Sequence, residues 1–369
     1  MPILLTLRVV DRTDMKGRLM IFICLLLLGA CKDREEGVPE TSSLYARYFE
    51  ILDNPARVVV RSPYTGICDT LQAGGVTDVI CMSSSHVAAL SALGADTLIS
   101  AVSGIRYISD PDLRERWIMT RDNALSPEIK PVYDIGYEAD LDYEQIMKID
   151  PDLLLTYTVS GAEPQYVAKL RSLGIPVLVL HDHLEDHPLA RAEYLRLFGA
   201  LTGRLDLADS LFNEVRERYL SLCSDEVTCR VLLNIPYGDA WYIPGGDSYM
   251  SRLVRDAGGE VLGAEKGSRH SSVVSMEQAY MLSQQADIWL NPGHCRSRDE
   301  LSRIHQLFPK FGPLAKGLPI YNNTLRTTPE GGNDFWESGA VRPDLVLEDL
   351  RDIFSGAVTG SLNYHIKVD

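Results

Sequence analysis

The chain has 369 residues, with 36 Lys and Arg against 51 Asp and Glu and a formal charge of −15 at pH 7. An acid surplus of this size with no basic tract excludes a nucleic-acid partner held by its phosphates. A hydrophobic content of 45% is that of a globular protein, and the length exceeds what one core usually serves, so two lobes are expected.

Leu19 to Leu28 is a run of ten apolar residues, against the roughly twenty that a membrane-spanning helix needs. Lys16 and Arg18 precede it and Gly29 and Ala30 follow, the layout of a secretory signal. Met15 is the expected start of this leader. Leu28-Gly29-Ala30-Cys31 resembles the bacterial lipobox, which implies lipidation of Cys31 and attachment by acyl chains without a span. Residues 1–31 are therefore read as a lipoprotein signal peptide. Its removal takes away Arg8, Arg12, Lys16 and Arg18 against only Asp11 and Asp14, so the mature chain is more acidic still. The polar stretch 32–44 reads as a flexible tether. Lys32 is not the aspartate that favours inner-membrane retention, and Asp33, Glu35 and Glu36 leave an outer-membrane or surface location open.

With Cys24 in the leader and Cys31 lipidated, Cys68, Cys81, Cys223, Cys229 and Cys295 remain in an exported, oxidising setting. Cys223 and Cys229 bracket "SDEVT", a loop that a disulfide can close. Cys68 with Cys81 is a second candidate pair, and Cys295 is left odd. No CxxC spacing points to a metal cluster.

"ARVVVRS" and "TDVICMSS" read as strands, and "SSSHVAALSALGA" as a helix opening near a serine cap and closing at Gly94. "DTLISAVSG" is the next strand. "LDYEQIMKIDPDLLLTYTVSG" and "PQYVAKLRSLGIPVLVLHDH" are successive helix–strand units. Such alternation indicates a parallel βαβ lobe, placed at 45–186, whose ligands gather beyond the carboxyl ends of its strands. Residues 187–222 are helical nearly throughout, with Gly199 and Gly203 as weak points, and form a linking segment. A second α/β lobe, 223–369, follows in "CRVLLNIPYG", "SYMSRLVRDAGGEVLG", "SMEQAYMLSQQADIWLNPG" and "RPDLVLEDLRDIFSG". The fold class is thus α/β: two lobes, each a mainly parallel sheet flanked by helices, joined by one long rigid helix with a ligand cleft between them.

"SALGADTLISAVSG", "DIGYEADLDYEQIMKIDPDLLLTY", "LGIPVLVL", "WYIPGGDSYMSRLVRDAGG", "ADIWLNPG" and "GGNDFWESGAVRPDLVLEDLRDIF" together resemble the helix-linked, class III periplasmic binding proteins of ABC importers for siderophores, haem and cobalamin. The resemblance runs from about Arg57 to Phe354. It implies a monomeric receptor without a cofactor of its own, whose transported ligand is an iron chelate, haem or a corrinoid. It also implies an ABC permease and its ATPase as partners. Family members often carry a glutamate on the first helix of each lobe to pair with the permease. Matching those helices places Ala88 and Arg252 at the two positions, so docking by that arrangement does not carry over, and other acids on the lobe tips are the alternative.

Loops that should face the cleft carry Ser84, Ser85, His86, Arg106, Tyr107 and Tyr137 in the first lobe. The second contributes Trp241, Tyr242, Arg269, His270, Arg326, Asn333 and Trp336. Tyr and Trp supply broad apolar faces with one polar tip. Arg supplies a fixed fork for carboxylates, and Tyr or His an axial iron ligand if haem is bound. Against this, Tyr107 and Trp336 equally suit packing between lobes, His86 suits a helix cap, and Arg269–His270 suits a solvated turn.

"HDHLEDH" offers a rival. His181 and His183 lie two apart on a strand end and so share a face; with Asp186 or His187 they form a candidate zinc or manganese site. The alternative for this stretch is a polar loop capping the next helix, with Asp186 near its N-terminus. No GxSxG, Walker-type, HExxH or GxGxxG motif is present, so no enzyme is expected; an enzyme without these motifs or an adhesion module on the same scaffold is the last alternative.

Overall fold

The computed structural model describes residues 43–369 except 54–55, 138–139, 160–162 and 239. The leader, Cys31 and all but the end of the tether lie outside the described residues. None of the described helices is long and apolar enough to cross a membrane.

The described chain opens with an antiparallel meander of β1 (Phe49–Asp53), β2 (Ala56–Arg61) and β3 (Cys68–Gln72). Alternation puts Phe49, Ile51, Val58 and Val60 on one buried face. "ARVVVRS" is therefore a strand, as read, but of this separate sheet.

The first lobe is a five-stranded parallel sheet of order β6-β5-β4-β7-β8, made by β4 (Val79–Cys81), β5 (Ile99–Val102), β6 (Tyr133–Asp134), β7 (Leu153–Tyr157) and β8 (Val177–Leu180). Its helices are α1 (Ser84–Ala92), α2 (Pro111–Arg121), α3 (Tyr143–Ile149) and α4 (Gln165–Ser172). Both faces are covered, which is why Val79 to Cys81 and Leu153 to Leu155 read as unbroken apolar runs and are all buried.

The linking segment is two helices, α5 (Pro188–Leu201) and α6 (Leu205–Leu222), where the sequence suggested one. Gly203, at φ +70°, makes the turn, and the Arg204 N–H donates to the Gly199 carbonyl at 2.7 Å. Gly199 permits the close crossing: a Cβ there would run into the Ala208 side chain and lie 3.0 Å from the Arg204 carbonyl. Helix α5 serves both halves. Leu189 and Ala192 enter the core of the second lobe, while Tyr194, Leu195 and Phe198 enter that of the first.

The second lobe contains β9 (Cys229–Leu233), β10 (Trp241–Ile243), α7 (Tyr249–Asp256), β11 (Gly259–Val261), β12 (Ser272–Val274), α8 (Met276–Ser283) and β13 (Ile288–Leu290). It closes with α9 (Arg298–Ile304), α10 (Gly312–Ala315), β14 (Ile320–Asn322), α11 (Ser338–Val341), α12 (Pro343–Ser355) and β15 (Ile366–Lys367). Its main sheet has the order β11-β9-β13-β14-β15, parallel except for β15; β10 and β12 pair separately. The run β11-β9-β13-β14 repeats β5-β4-β7-β8 of the first lobe, so α3 and α8, each leading into the strand beside the first, are equivalent.

Cys68, Cys81, Cys223, Cys229 and Cys295 are all free. The expected Cys223–Cys229 bridge is not formed: the Cys223 thiol turns back to the Tyr219 carbonyl at the end of α6, and Cys229 is buried at the start of β9.

Candidate functional site

At the amino end of α1 the expected binding residues form a polar cluster of their own. Ser85 Oγ donates to Asp182 Oδ2 at 2.8 Å, and Ser83 and Ser85 share a bond of 2.9 Å. His86 is fully buried, its Nε2 3.7 Å from Asp182 Oδ1. It pairs where a cap was the alternative, and Ser83 makes no side-chain cap. Burial acts to raise the Asp182 carboxyl, but His86 and Ser85 hold it well below the usual range. Ser84 opens α1 beside this cluster.

Arg106 and Tyr107 sit where the lobes touch. The Arg106 guanidinium lies 4.8 Å from the Tyr107 ring centroid, and the Arg106 carbonyl accepts from Thr328 Oγ1 at 3.0 Å. A Cβ on Gly332 would strike the Tyr107 carbonyl. Nearby, the buried Glu337 carboxylate accepts from the Ser109 and Asp110 amides at 2.7 and 2.8 Å. Burial pushes this carboxyl up to about 8 despite those bonds. Tyr137, after the left-handed Gly136, is exposed.

In the second lobe Trp241 is a core residue. It is 1% exposed, stacks on Phe311 at 5.7 Å, and donates from Nε1 to the Leu233 carbonyl at 3.1 Å. Tyr242, its neighbour on the strand, takes the opposite, exposed face. Arg269 Nε pairs with Asp186 Oδ2 at 2.9 Å, so it joins the lobes. Arg326 pairs with Asp334 at 2.8 Å and covers the Tyr364 ring. Asn333 Oδ1 accepts from the Phe335 amide at 3.1 Å.

One cavity of about 480 Å³ is lined from both halves, by Tyr48, Tyr64, His183 and Arg191 on one side and Tyr249, Arg269, His270 and Trp336 on the other. Of the expected ligand-facing loop residues, Arg269, His270 and Trp336 are in its walls, and His183 and Asp186 of the candidate metal run line it too. A larger hollow of about 940 Å³ lies among α1, α2, the α5–α6 pair and 326–342, and takes in Arg326 with Asp334 and Glu337. Tyr48, Tyr64, Arg191 and Tyr249 escaped the sequence reading. The turn residues of "SPYTG" marked a loop tip at Tyr64, but not what it faces. Arg191 is fixed by donating to the His183 and Glu185 carbonyls and by covering the Tyr249 ring at 3.8 Å.

The histidine run does not converge. His181 stands edge-on to Tyr48 and Tyr64, His183 to Tyr157, and His187 Nδ1 accepts from the Leu189 amide to cap α5. Asp186, taken as the helix-end charge, instead pairs with Arg47 and Arg269. Burial pulls His181 and His187 down to about 4. Among the described residues no three His, Cys, Asp or Glu side chains are placed to hold a metal ion.

Residues 79–307 match the family model described as "Periplasmic binding protein". The chain belongs to this family. This periplasmic binding protein is 23% identical over 283 residues to an uncharacterised lipoprotein of Methanocaldococcus jannaschii, covering 75% of this chain and 65% of that relative's length. Among solved structures it resembles a possible iron-binding, periplasmic solute-binding protein of Staphylococcus epidermidis (TM-score 0.55, 18% identity, 75% of this chain and 98% of that one). It also resembles a periplasmic heme-binding protein of Pseudomonas aeruginosa (0.56, 17%, 80% and 99%) and a periplasmic vitamin B12 binding protein of Vibrio cholerae (0.50, 14%, 77% and 99%). At these identities the likeness is one of fold. Family and neighbours are binding proteins, not enzymes.

Proposed function

We propose that this periplasmic binding protein captures an iron chelate, haem or a corrinoid in the cavity between its lobes and delivers it to an ABC permease driven by its ATPase. The observation that carries this reading is the joint wall of Tyr48, Tyr64, Tyr249 and Trp336 with Arg191, Arg269, His183 and His270, in which Glu185 and Asp186 also lie. Aromatic faces beside a few fixed cations suit a large, partly planar, anionic ligand, and a volume of about 480 Å³ falls in the range of small-molecule sites. The iron, heme and vitamin B12 binding of the structural neighbours points the same way.

In this reading the chain is cleaved ahead of Cys31, which carries the lipid, and the protein works as a monomer on the outer side of a membrane, with lobes at 45–186 and 223–369 joined by 187–222. Docking to a permease has better candidates than Ala88, which is buried, and Arg252. The equivalent helices α3 and α8 open with matching sequences, Asp142-Tyr143-Glu144-Gln145 and Ser275-Met276-Glu277-Gln278, each capped by its first residue accepting from the Gln amide. Glu144 and Glu277 are both exposed, one on each lobe.

The test is an absorbance titration of the purified chain with haemin, a ferric tris-catecholate and cyanocobalamin. Saturable one-to-one binding of one of them is expected. No response to any of the three would remove the proposal.

A further inference from the structure

The family match begins at residue 79, after the whole β1–β3 meander. Yet Pro63 and Tyr64, at the tip of the β2–β3 hairpin, and Tyr48, just before β1, are part of the cavity wall. The tip is a built turn. The Ser62 amide donates to the Ile67 carbonyl and the Gly66 amide to the Ser62 carbonyl, each at 2.9 Å, with Gly66 in the left-handed region at φ +72°. Ser62 Oγ also accepts from the Tyr64 and Thr65 amides. Buried Val58 and Val60 seat the meander on the first lobe, Phe49 packs on Tyr194 of α5 at 4.8 Å, and the Gly74 amide donates to the Ala200 carbonyl at 2.7 Å. Tyr48 is held at both ends of its peptide unit, by Glu185 and by the Arg61 amide. On this fixed support the Tyr64 ring stands edge-on to His181 at 6.2 Å and remains 41% exposed.

A ring that is already ordered and still open offers a binding face at little entropic cost. We infer that the β2–β3 hairpin is a third wall of the ligand receptacle, and that Tyr64 and Tyr48 contact the planar conjugated part of the ligand. The inference rests on the chelate reading above and narrows it. Haem, corrin and aryl-bearing chelates are favoured over non-aromatic ones such as ferric citrate.

The detergent-solubilised full-length chain and its Tyr64→Ala, Tyr64→Phe and Ile67→Ala variants would be titrated with haemin, cyanocobalamin, a ferric tris-catecholate and ferric citrate. Tyr64→Ala should weaken the preferred conjugated probe by about tenfold. Tyr64→Phe should bind as wild type, because the ring is kept. Ile67→Ala should also bind as wild type, since Ile67, on the same hairpin, is not in the wall of this cavity. Tyr64→Ala binding within twofold of wild type, an equal loss in Ile67→Ala, or a preference for ferric citrate would overturn the inference while leaving the receptor reading intact. Wild-type protein that takes up none of the four probes would overturn the chelate reading and this inference together.

Discussion

Arg269 Nε lies 2.9 Å from Asp186 Oδ2, and the same oxygen holds Arg47 at 2.8 Å. A guanidinium that the sequence offered to a ligand is thus shared with a carboxylate of the other lobe. Asp186→Asn keeps the shape but frees both cations, and should tighten an anionic probe such as haemin a few-fold at low ionic strength. Such pairs are worth about 0–1 kcal/mol and are screened by salt, so the gain should vanish in concentrated salt. Titrations at two salt concentrations check this; unchanged affinity at both would show that Arg269 does not reach the ligand.

Glu337 spans the lobes with its carboxylate on the Ser109 and Asp110 amides, and burial raises it from an ordinary 4.5 to about 8. For a carboxyl raised on folding, the contribution to stability is fully present below 4.5 and is lost as pH rises toward 8. Unfolding free energies of wild type minus Glu337→Gln should therefore decline across that window. A flat difference would contradict the assignment. The subtraction is needed because His181 and His187, both lowered to about 4, act with the opposite sign, losing stability as pH falls from about 6.5.

Trp241 is packed among Trp289, Phe308 and Phe311. Trp241→Ala should cost about 3–5 kcal/mol in chemical denaturation. Retention of wild-type stability with lost binding would restore it to the ligand site.

Glu193 is fully buried on α5 and accepts from the Leu44, Tyr45 and Ala46 amides at 2.6 to 2.8 Å. In Glu193→Gln the side chain gives up one of its acceptor oxygens, and hydrogen exchange at residues 44–46 should accelerate while β7 and β13 stay protected. Unchanged exchange at those three amides would mean that the clasp is not formed in solution.

The alternation of strands and helices was legible because each α/β unit announces itself locally: the apolar run Leu153 to Leu155, the helix leading into it, the stop at Gly94. The break between α5 and α6 was half legible, since Gly199 and Gly203 were noted as weak points but the hairpin they permit depends on Ala208 packing back. Trp241 and Tyr242 could not be sorted by sequence. Which of two adjacent residues on a strand faces the core follows from the pairing of β10 with β12, a long-range fact. Tyr64 was missed for the same reason, its turn being visible and its neighbours not.

The grip of Glu193 and Glu185 on residues 44–48 has a mechanical meaning. A pull arriving at residue 44 would meet first the buried Glu193 of the helix that enters both cores, before it reached either main sheet. A load applied at residues 44–46 would thus reach the two halves through the element they share.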